Sequence, residues 1–226
     1  MPRASRVLAV ALSATLGVVG GVVSGHLLGG APAGPDPLGL GVSMVNQQCT
    51  GQSLLVTAWG ATDTSLTSAV AENPDHTHYL RIASSCNTAW RQNGLAAVGY
   101  AAYLGPYGSV GQACEQRMTV AHRGDMVTRL QAGNTQPVQC LCYLDYTTFP
   151  TLRQGMTVTA RIGIYVRAMQ KLLVTAKLSP PEAVTGLYDA ATMQRIEAFQ
   201  AAKGLPQNGY VDGPTWHQLL GPGCAA

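Results

Sequence analysis

Cys49, Cys86, Cys114, Cys140, Cys142 and Cys224 are the residues of this chain best able to do chemistry, as metal ligands, nucleophiles or disulfide partners. Their spacing argues against the first role. Cys140 and Cys142 form a C-x-C pair, no C-x-x-C pair occurs, and no histidine sits at a ligand-like offset from a cysteine pair. A catalytic thiolate needs a histidine partner, and no recognisable arrangement of that kind is present. His76 and His78 alternate in the run Asp75–His78 but have no third ligand and no glutamate placed as a base, so the run reads as a loop turn. No carboxylate pair stands out for glycoside cleavage. No metal or other cofactor is expected. An even number of cysteines in an exported chain reads as disulfides. The expected pairs join Cys140 and Cys142 to helix or loop cysteines such as Cys114 and Cys86, leaving Cys49 for Cys224; the alternative is that Cys49 reaches the helix or the last strand.

Export itself is read from the N-terminus. Arg3 and Arg6 precede an uncharged, apolar stretch from Val7 to Val23, and the first acidic residue is Asp36. A positive start, an apolar run and small residues form a secretory signal, with Ala31-Pro32-Ala33 as an A-x-A-like cleavage site. The alternative is an uncleaved membrane anchor with the arginines kept inside, although the glycines between Gly17 and Gly30 make a poor spanning helix. Both readings put residues 34–226 outside the membrane. The formal charge of +3 includes those two arginines and is too small for a counterion-release binder, so no nucleic acid partner is expected.

The positioning elements fall into two groups. Residues 34–48, with Pro35 and Pro37 and several glycines, read as a linker. Residues 49–150 alternate strand-like and helix-like segments: strands over Ser53–Gly60, His78–Ala83, Leu95–Tyr107 and Pro137–Tyr146, with helices over Asp63–Asn73 and Ser109–Ala121. That order is βαββαβ, a ferredoxin-like α+β sandwich with both helices on one face of a four-stranded sheet. The runs "LLVTAWG" and "YAAYLGPYGSVGQAC" resemble the two halves of a SPOR-like domain, a family that binds peptidoglycan glycan strands stripped of stem peptides. The cysteines depart from the ordinary SPOR pattern. Pro150 and Gly155 break the pattern again, placing a linker at 151–160 before a module at 161–221 and a tail at 222–226.

That module contains an internal repeat. Gly186-x-x-Asp189-x-x-Thr192 recurs as Gly209-x-x-Asp212-x-x-Thr215, and "VRAMQ" ending in Gln170 recurs as "IEAFQ" ending in Gln200. Each glycine permits a tight turn and each aspartate caps the helix that follows. Three apolar stripes, Val166/Met169/Leu172/Leu173, Met193/Ile196/Phe199 and Trp216/Leu219/Leu220, predict three short helices packed together. The pattern closely resembles the peptidoglycan-binding type 1 family, from Val166 and Met169-Gln170 through Gly186, Tyr188-Asp189, Thr192, Phe199-Gln200, Gly204-Leu205, Gly209, Val211-Asp212 and Thr215 to Leu219. A longer loop, Val174–Val184, is the one departure.

The resemblance implies a non-catalytic peptidoglycan binder. Within the motif, Gln170, Gly186, Thr192, Gln200, Gly209 and Thr215 read as structural, while Tyr188, Asp189, Tyr210, Asp212 and Trp216 are the ligand-binding candidates. Aromatic faces stack on sugars and phenol hydroxyls bond stem-peptide amides; helical spacing to Leu219 and Leu220 gives Trp216 a core alternative. The partners expected are peptidoglycan and, in a scaffold reading, an envelope protein. The other alternative is a peptidoglycan hydrolase or its accessory subunit, but the SHGC-type signature of L,D-transpeptidases is absent.

Overall fold

The computed structural model describes residues 35–86, 99–119, 126–133 and 136–224. The signal segment lies outside these residues, as do residues 95–98 of the expected third strand. Among the described residues no helix is long and apolar enough to cross a membrane.

The first half is a four-stranded antiparallel sheet built from β1 (Ser53–Gly60), β2 (His78–Arg81), β3 (Tyr100–Tyr107) and β4 (Met126–Arg129), in the order β2-β3-β1-β4. With α1 (Thr67–Glu72) after β1 and α2 (Val110–Arg117) after β3, the chain follows the split βαββαβ order. Alternation sorts the side chains into two layers. Leu55, Tyr79, Ala102, Leu104 and Val127 face the helices, against Leu66 and Ala69 beside and on α1 and Ala113 and Cys114 on α2. Leu54, Val56, Leu80, Ala101 and Tyr103 form the core of the opposite layer. Ser109 closes a capping box with Gln112 at the start of α2, which fixes where the chain leaves β3.

Two expectations are corrected here. Residues 137–146 are not the last strand: Cys140–Tyr143 is a 3-10 turn, and the fourth strand is the four-residue run Met126–Arg129, paired with β1 from Ser53↔Arg129 to Val56↔Met126. The alternation that suggested a strand has another cause. Cys140 is buried in the layer under α2, while the adjacent Leu141 is buried among the C-terminal helices, so the turn feeds two cores at once. The second correction concerns the expected linker. Residues 35–48 lie along the sheet: Met44 bridges to Tyr79, and Leu38, Leu40, Val42 and Met44 pack beside Leu66 and Tyr79. Asp36 accepts from the amides of Leu40 and Gly41 and from the Tyr79 hydroxyl at 2.6 Å. Burial, then the bond to Asp36, pushes the Tyr79 hydroxyl up to about 12.

The second half comprises α3 (Ala160–Thr175), α4 (Ala190–Lys203) and α5 (Gly213–Cys224) around one apolar core. The segment read as an interdomain break packs into that core. Phe149 and Leu152 are buried there, Leu152 forms an antiparallel bridge with Val211, and the Trp216 indole donates to the Pro150 carbonyl at 3.0 Å.

The cysteines form three disulfides, Cys49–Cys86, Cys114–Cys140 and Cys142–Cys224. The expected link from Cys49 to Cys224 is replaced, because residues 47–49 run beside Ser85–Cys86 and Cys142 faces the end of α5. Cys142–Cys224 closes an 82-residue separation and ties the α+β half to the last helix. Thiol titration of the denatured, unreduced protein should therefore find essentially no free thiol; two or more per chain would contradict this pairing.

Candidate functional site

The repeated motif folds twice into the same small machine. In the first copy Gln170, buried on α3, accepts from the Gly186 amide at 2.8 Å through its carbonyl oxygen. Its amide nitrogen donates to the Leu187 carbonyl at 3.0 Å and the Thr192 hydroxyl at 3.1 Å. In the second copy Gln200 on α4 accepts from the Gly209 amide at 3.0 Å and donates to the Tyr210 carbonyl at 2.7 Å and the Thr215 hydroxyl at 3.2 Å. A primary amide is the one side-chain group that can accept from and donate twice to a backbone turn at this reach.

The rest of each unit follows from the turn. Gly186 and Gly209 sit at φ +80° and +66°, where a side chain is strained, and a Cβ on Gly209 would collide with Met193. Asp189 and Asp212 then cap α4 and α5, accepting from the amides of Thr192 at 2.7 Å and Thr215 at 3.0 Å. The Thr192 amide and hydroxyl hold the Asp189 carboxyl below its ordinary range. Its contribution to stability is thus complete above the usual carboxylate pKa and is lost as pH falls through the lowered folded-state value. Asp189→Ala or Asp212→Ala should each cost roughly 0.5–2 kcal/mol, read as a lower melting temperature at neutral pH.

The structure separates the five ligand candidates. Trp216 is fully buried, edge-on to Phe149, and so belongs to the core rather than to a binding surface. Tyr188 is also closed off: it is 5% exposed, and its hydroxyl donates to the Gly209 carbonyl at 2.7 Å, joining the two turns. Burial raises its pKa strongly. Asp189 and Asp212 are engaged as caps. Tyr210 alone among the candidates presents its ring to solvent, 41% exposed, with the Arg153 guanidinium 5.9 Å from the ring centroid. Leu187, at the equivalent position of the first turn, is also exposed, so each copy of the loop displays one large side chain beside its glycine. Sequence reasoning passed over Leu187; its place directly after Gly186, matching Tyr210 after Gly209, was the available signal.

Residues 163–219 match the family described as "Putative peptidoglycan binding domain". This stretch is similar to that family of peptidoglycan-binding domains. The match spans the body of α3, all of α4 and most of α5, including both copies of the glutamine–turn–cap unit, and stops short of the α+β half. No curated protein and no solved structure matches the chain. Its repeated unit is a scaffold that holds two short loops, and the large side chains these loops expose are Leu187 and Tyr210.

Proposed function

We propose that the chain is an exported cell-wall protein that holds peptidoglycan through its C-terminal module and does not cleave it. The observation that carries this reading is the doubled Gln170/Gln200 unit within the family match, which presents Leu187 and Tyr210 on rigid loops. Rigid loops matter because an exposed ring held in place stacks on a sugar with little loss of conformational freedom. Export is supported by the Arg3/Arg6 start and the apolar run that follows, and by three disulfides, which persist in oxidising compartments. The α+β half adds a second element to the proposal: its split sheet order supports the SPOR-like resemblance and a contribution to glycan binding.

Tyr210→Ala in the full chain is the direct test of the loop assignment. Since the ring is exposed and outside the core, the variant should melt within a degree or two of the parent. Its retention on purified sacculi should fall roughly five- to tenfold, the loss of one aromatic contact of about 1 kcal/mol or more. Unchanged retention with an unchanged melting temperature would remove Tyr210 from the binding surface.

A further inference from the structure

We propose that Arg153, which lies ahead of the stretch matched by the family, completes the Tyr210 contact and makes this loop selective for a carboxylate on the stem peptide of peptidoglycan. The inference rests on the peptidoglycan reading above and names the part of the wall polymer that the same site takes.

Backbone pairing puts the two side chains together. Leu152 and Val211 exchange both hydrogen bonds of an antiparallel bridge, at 3.1 and 2.9 Å, and both side chains are fully buried. The next residues along the two strands, Arg153 and Tyr210, therefore stand opposite one another and turn to the other side, where both are exposed. The contact agrees with this register: the guanidinium carbon lies 5.9 Å from the ring centroid. Both strands are held in place. The Tyr210 amide donates to the Asn208 side chain at 2.8 Å, and its carbonyl accepts from Gln200 at 2.7 Å. On the other strand the Trp216 indole holds the Pro150 carbonyl, and the Arg153 amide meets the Met156 sulfur at 3.4 Å. The cation is thus presented by a short strap that the family match, residues 163–219, does not include.

The shape of the guanidinium gives the pair its preference. An arginine placed against an aromatic ring keeps N–H donors on its edge, in a planar fork whose matching acceptor is a carboxylate. Among the described residues the fork's contact is with the ring, which leaves that edge open to a ligand. Glu197 of α4 lies beside Gly209, so the turn carries both signs of charge. The preference comes from the fork's geometry rather than from a surplus of positive charge. A muropeptide supplies both acceptors in one molecule: a sugar ring for the exposed face of Tyr210, and a stem-peptide carboxylate for Arg153. The tyrosine gives contact area, and the arginine decides which part of the wall lies next to it.

The test uses the full oxidised chain, its Arg153→Gln variant and three soluble probes. These are a disaccharide-tetrapeptide released by muramidase, the same molecule with its carboxyl groups amidated, and a glycan oligomer stripped of peptides, whose carboxylates are lactyl. Arg153 is exposed, so the variant should melt within about two degrees of the parent. The parent should bind the disaccharide-tetrapeptide most tightly and lose about fivefold in affinity on amidation. Arg153→Gln should lose about as much on the unmodified probe and little more on the amidated one, because the two changes remove the same contact. Three results would each overturn the assignment: an equal amidation loss in parent and variant, unchanged affinity in a variant of parental melting temperature, or stripped glycan bound as tightly as the disaccharide-tetrapeptide. If the parent holds sacculi but ignores the disaccharide-tetrapeptide, only the Arg153 assignment falls. If the parent fails to hold sacculi at all, the reading it rests on falls first.

Discussion

Trp216→Ala is expected to unfold the C-terminal module at or near physiological temperature. Among the described residues Trp216 is the largest fully buried side chain, packed edge-on to Phe149 with ring centroids 5.3 Å apart, and its indole N–H bonds the Pro150 carbonyl. Truncating a buried tryptophan costs roughly 3–5 kcal/mol through lost burial and the cavity left behind. Loss of the indole leaves the Pro150 carbonyl with one partner fewer, a further penalty of about 1 kcal/mol. Domains hold only about 5–15 kcal/mol in reserve, and this core serves two segments, since Phe149 and Leu152 depend on the same residue to stay seated. Thermal melting followed by circular dichroism should show a loss of well over ten degrees, or no cooperative transition. Trp216→Phe keeps most of the ring contact and loses the indole bond, so it should fall in between. A Trp216→Ala variant melting within about three degrees of the parent would show that the residue is not the keystone of this core.

Gln200→Leu is the second large effect, and its cause is different in kind. Leucine matches the glutamine in bulk but leaves the Gly209 amide, the Tyr210 carbonyl and the Thr215 hydroxyl without the partner each now has. Leaving a buried polar group unsatisfied costs roughly 1–3 kcal/mol, so the change should remove about 3 kcal/mol or more in a urea titration. The internal repeat supplies a control. Gln170→Leu strips the same set of partners from Gly186, Leu187 and Thr192 and should cost a similar amount. A difference of more than about 2 kcal/mol between the two would mean that the copies are alike in sequence and unlike in role.

The parts of this protein that could be read from residues alone are those whose signals are local. The G-x-x-D-x-x-T repeat foretold two turns and two capped helices because each residue acts on a neighbour within about four positions: Gly186 on its own φ, Asp189 on the Thr192 amide. The sheet order was legible for the same reason, as three of its strands alternate plainly. The fourth was not. Met126–Arg129 is four residues long and takes its identity from pairing with β1, whereas Pro137–Tyr146 alternates because it touches two cores. Disulfide partners were illegible on the same ground, being set by which segments meet in space. Burial decided the ligand candidates. An aromatic residue within a turn motif does not show in sequence whether its ring is buried, as at Tyr188 two residues after Gly186, or exposed, as at Tyr210 directly after Gly209. The run from Phe149 to Leu152 teaches the related lesson that a proline and a glycine mark a turn in the path and not always a gap between domains. A fragment beginning at residue 155 would lose Phe149, Pro150 and Leu152 from the module's core, so binding is best measured on the whole chain.

That measurement is sedimentation of the full oxidised chain with purified sacculi, with the supernatant assayed for soluble muropeptides. The account predicts that the protein pellets with the wall in a saturable manner, that Trp216→Ala, unfolded in its module, stays in solution, and that no muropeptide is released over hours. Protein left in the supernatant at saturating sacculi, or a steady release of muropeptides by the pure chain, would contradict it.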